Sequence, residues 1–122
     1  MATPPVNNLS ASPTIPLTPA VRGAYQDLYN QMQAELDGTM DSVAIAALNV
    51  WQPQVDQILT KDDEYKLNAD TNIFQALQKQ ISDTNQGLKT LSNQIASTAS
   101  HFALAGDIIA AINKVLTLIP GA

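Results

Sequence analysis

The sequence predicts an all-α fold, specifically an extended antiparallel helical hairpin whose second arm is a long coiled-coil-type helix. Three observations predict it. Apolar residues recur every three or four positions from Val21 to Ile58, and a heptad seam runs from Phe74 to Ile119. Between these stretches lies TKDDEYKLNAD, residues 60–70, in which six of eleven side chains are charged, as expected of a solvated hairpin tip. A compact four-helix bundle, with reversals at Gly38 and near Ser97 to Ser100, is the alternative.

Residues 1–18 form a Pro-, Ser-, Thr- and Asn-rich segment expected to be disordered. The first twenty residues hold five of the seven prolines and no charged side chain. They offer neither the basic region nor the apolar run of a cleaved signal peptide, so any export is expected to be independent of one.

Residues 19–122 then read as one helical domain. Thr18-Pro19 is a strong helix start, a capping hydroxyl followed by a proline whose missing N–H costs nothing there. The first arm, 19–59, carries its apolar stripe through Val21, Tyr25, Leu28, Met32, Leu36, Met40, Val43, Ala47, Trp51, Val55 and Ile58. Asp37-Gly38-Thr39 and Pro53 interrupt it, giving two pieces or one kinked rod, and the unbroken phase favours collinear pieces. A charged turn follows over 60–70. Its acidic run Asp62-Asp63-Glu64 lacks the alternating ligands and central Gly of a calcium loop.

The second arm, 71–119, carries the strongest pattern. Phe74, Ile81, Leu88, Ile95, Phe102, Ile109 and Leu116 stand seven apart, interleaved with Leu77, Thr84, Leu91, Thr98, Ala105, Ile112 and Ile119. No seam position is charged. Phe74, Leu77, Ile81, Leu88 and Leu91 define the coiled-coil seam. From Phe102 to Ile119 the apolar stripe widens to thirteen of eighteen residues, which marks a helix buried on several faces. Asp107 and Lys114 near its middle would each cost about 2.5 to 3.5 kcal/mol in a bilayer, which disfavours stable single-span insertion.

Composition excludes several function classes. The 122 residues include no Cys and one His, which removes thiolate metal sites and disulfides, and no metal or organic cofactor is expected. A net charge of −5 has the wrong sign for nucleic acid. No nucleophile elbow, phosphate loop or paired carboxylates in an apolar setting occur, so no enzyme is expected. What fills the outer positions is 9 Asn, 11 Gln, 7 Ser and 10 Thr, which outnumber the 17 Asp, Glu, Lys and Arg more than two to one. Such surfaces can be buried against copies of themselves without stranding charge.

A two-helix hairpin of this size leaves apolar surface uncovered, so association is the expected remedy. The leading expectation is a structural protein that self-assembles into a homo-oligomer, tube or filament through Ile95, Phe102, Ile109, Ile112, Leu116 and Ile119. One alternative is a membrane-active protein whose C-terminal helix inserts after oligomerising. Another is an adaptor or chaperone-type module that binds another helical protein.

Over Pro19 to Ala122 this plan, a Cys-free helical hairpin behind a disordered start, is similar in architecture to the needle, rod and filament subunits of bacterial secretion systems. That resemblance implies export to the surface or exterior and assembly with copies of itself. The tip departs from the pattern in lacking a proline-containing turn.

Overall fold

The computed structural model describes residues 17–118. Over these the chain is all-α: α1 (Pro19–Gly38), α2 (Ser42–Asn68), α3 (Thr71–Ser97), a 3₁₀ turn (Ala99–His101) and α4 (Ala105–Leu118). The expectation for residues 1–16, and that for Ile119, lie outside the described residues. Leu17 is in place and buried, its N–H donating to Asp62 Oδ1 at 2.7 Å.

Each helix has a local reason to begin. Thr18 Oγ1 accepts the Val21 N–H and Pro19 opens α1; Asp41 caps α2 through the Val43 N–H. Asp70 caps α3 by accepting from Asn72 and Ile73. Pro53 sits inside α2 without ending it.

The helices pack in a ring, α1 against α2 and α4, and α3 against α2 and α4. Neighbours run antiparallel. Arg22 near the start of α1 meets Asp62 near the end of α2, while Gln33 near the end of α1 accepts from Gln52. On α3, Gln80 donates to Gln54 of α2. Leu28, Met32, Leu48, Ile58, Leu77, Ile81, Leu88, Leu91, Ile95, Ile108 and Ile112 are fully buried in one core. Burying a side chain of this kind stabilises by about 1.5 to 3 kcal/mol.

Three expected boundaries change. The first arm over 19–59 is divided at Thr39–Asp41, and its halves reverse instead of running collinearly, because Gly38 ends α1 and Asp41 starts α2 in a new direction. The charged turn over 60–70 shrinks to Ala69 and Asp70. α2 continues to Asn68 because Asp62 is consumed inside the fold, fully buried and paired with Arg22 at 2.9 Å and Lys66 at 2.6 Å. Ala69 ends α2 in the left-handed conformation, φ 51°.

The long helix over 71–119 is likewise two elements. At the end of α3 the hydroxyls of Ser97 and Thr98 both donate to the Gln94 carbonyl, at 3.0 and 2.7 Å, alongside the Thr98 N–H. Such hydroxyls compete with helical hydrogen bonding, and Ser97-Thr98-Ala99-Ser100 supplies three of them in four residues. Beyond the break the buried stripe moves from the Ile109 and Leu116 register to Ile108, Ile112 and Val115.

Gly87 of α3 lies against Trp51 of α2, where an added Cβ would overlap Cη2 and Cζ3 of the ring. Gly87→Ala must therefore displace Trp51, the chain's single tryptophan. We expect a red-shifted Trp emission and a net loss of about 1 to 3 kcal/mol, despite a gain of about 1 kcal/mol in helix propensity. Unchanged emission with raised stability would contradict this contact.

Candidate functional site

The coiled-coil seam residues point inward: Leu77, Ile81, Leu88 and Leu91 are fully buried in the chain's own core. Phe74 is half-buried, its ring edge-on to Tyr65 of α2 with centroids 5.7 Å apart. Of the residues expected to form an assembly interface, Ile95, Phe102 and Ile112 are also buried within the chain. Ile109 and Leu116 are half-buried against the same core. These five residues therefore pack within one chain, because the break after Ser97 lets α4 fold back on the other helices.

Buried polar groups form three clusters that the apolar pattern hides. At the tip end, Asp62 collects the Leu17 N–H, Arg22 and Lys66, and Asp63 adds a second contact to Arg22 at 3.0 Å. In mid-core, Tyr25 Oη donates to Asn85 Oδ1 at 2.8 Å, tying α1 to α3. Burial pushes the Tyr25 phenol well above its ordinary value, so it stays a neutral donor.

At the opposite end stands Glu35, only 2% exposed. Its Oε1 accepts the Leu104 N–H at 2.7 Å and its Oε2 the Ala103 N–H at 3.1 Å. These are the backbone donors that lead into α4, where Leu104 has no side chain able to cap. Beside them His101 Nδ1 lies 2.8 Å from Asp41 Oδ2. That hydrogen bond, with those from the Val43 and Ala44 N–H groups, holds the Asp41 carboxyl below its ordinary 3.8.

These clusters do structural chemistry. Asp62 and Glu35 each accept from several donors at once, which orients the helices they join. Among the described residues no group of three His, Asp or Glu side chains is placed to share a metal ion. No described helix is long and apolar enough to cross a membrane.

One feature with room for a partner is an open groove of about 420 Å³ between α1 and α4. Asp27 and Gln31 line it from α1, and Asp107, Ala110, Ala111 and Lys114 line it from α4. No family model, curated protein or solved structure matches this chain.

Glu35→Ala should strip both acceptors from the entry to α4. The expected loss is about 1 to 3 kcal/mol, with amide exchange accelerated first at Ala103 and Leu104. Exchange there as slow as in the parent protein would contradict the role assigned to Glu35.

Proposed function

We propose that this chain is a non-catalytic structural module that self-associates, packing copies of itself through the outer faces of its helices into a homo-oligomer, tube or filament. The observation that carries the reading is the chemistry of those faces. From Thr90 to Gly106 no Asp, Glu, Lys or Arg occurs, and the exposed positions hold Thr90, Asn93, Gln94, Ala96, Ser97, Ala99, Ser100, His101, Ala103 and Gly106, with His101 hydrogen-bonded to Asp41 of the same chain. Neutral amides, hydroxyls and methyls can be covered by another copy without the several kcal/mol that burying an ion costs.

Within the fold the same chemistry already joins helices. Gln52 donates to Gln33 and Gln80 to Gln54, both across helix pairs and without formal charge. Copies that meet through similar faces would use the same amide contacts. Because Ile95, Phe102 and Ile112 are occupied inside the chain, this reading moves association onto residues outside the core. An association of this kind is weaker and more reversible than one driven by an exposed apolar seam.

Sedimentation velocity of the full-length chain over a hundredfold concentration range tests the reading. We expect the weight-average sedimentation coefficient to rise with concentration while helicity stays constant. A single 13 kDa species throughout would overturn it and favour a module that waits for a different helical protein.

A further inference from the structure

The groove between α1 and α4 has a charge pattern that is complementary to itself. On its α4 wall Asp107 and Lys114 are seven residues apart, two helical turns and about 10 Å along one face. Among the described residues neither has an ion-pair partner. Between them the wall is Ala110 and Ala111, small enough for a second helix to approach without a bulky side chain intervening.

The midpoint of Asp107 and Lys114 falls between Ala110 and Ala111. A twofold axis through that point, perpendicular to α4, lays a second α4 antiparallel on the first. Asp107 of each copy then faces Lys114 of the other, so a single symmetry operation makes both pairs, as an isologous interface requires. We propose that the occupant of this groove is a second copy of the chain, docked α4 to α4 about that axis. The proposal rests on the self-association reading and names its face and symmetry. Asp27, the remaining charge in the groove, lies on the α1 wall and is unchanged in every variant below.

The test uses full-length protein and charge reversal, with helicity followed by circular dichroism. D107K alone sets Lys against Lys in the homodimer, and K114D alone sets Asp against Asp. Each should weaken association roughly tenfold or more, as two exposed pairs become two repulsions. An equimolar mixture of the two variants restores both pairs between unlike chains, and the D107K/K114D double variant restores them between like chains. Both should recover association close to that of the parent, with a similar decline as salt is raised.

Single reversals that leave association unchanged, or a mixture that fails to recover it, would overturn this face while self-association stands. A parent chain that never associates would overturn both proposals. Should D107K lose helicity, K114D alone carries the test: its association must still weaken, and association equal to the parent's would overturn the proposal.

Discussion

The packing depends on one carboxylate. Glu35, at the end of α1, accepts the N–H groups of Ala103 and Leu104 and so supplies the cap that the entry to α4 lacks. Without an acceptor there, two part-buried backbone donors would be left unpaired, at about 1 to 3 kcal/mol together. With it, the chain can leave α3 at Ser97, cross the end of the packing and return as α4 against both α1 and α3. The 2.8 Å contact between His101 and Asp41 fastens the same connector to the start of α2.

That reversal determines what the surface has left to offer. Folded back, α4 buries Ile108, Ile112 and Val115 in the core shared with Tyr25, Leu28 and Met32. The large apolar residues most exposed, Met40, Val50 and Leu67, are scattered over a loop and two points on α2. They form no contiguous patch of the kind that drives strong association. The outer faces instead mix amides, hydroxyls and alanine with exposed charges, sparse over the second half of the chain, where Asp107 and Lys114 stand beyond the uncharged run from Thr90 to Gly106. On the proposed reading, specific assembly would rest on the complementarity of Asp107 and Lys114 and on close approach over small residues.

Much of this was legible in the sequence. The helical class, the starts at Thr18 and Asp70, and the inward face of α3 follow from cap residues and from apolar spacing. The reversal after Ser97 was harder to read, since no Gly or Pro marks it and the heptad phase runs straight through. Its cause is the pull of Ser97 and Thr98 hydroxyls on one carbonyl, together with an acceptor 68 residues earlier in the chain. A signal did exist. Val21, Tyr25, Leu28, Met32 and Glu35 are spaced four, three, four and three apart, so Glu35 occupies a core position on its own stripe. Asp62 stands likewise on the line of Val55 and Ile58. A carboxylate at a core position has to find donors, and each of these two residues fixes a connection that apolar spacing alone misplaces.

The central claim is that one chain closes its own core by turning back between α3 and α4. Spin labels at the exposed positions Gln86 and Thr117, diluted with unlabelled protein, measure it directly. A single continuous helix would hold them about 46 Å apart. Antiparallel packing of α4 on α3, with axes roughly 8 to 10 Å apart, brings them within about 20 Å. A short distance is the result expected, and one near the longer value would contradict the account.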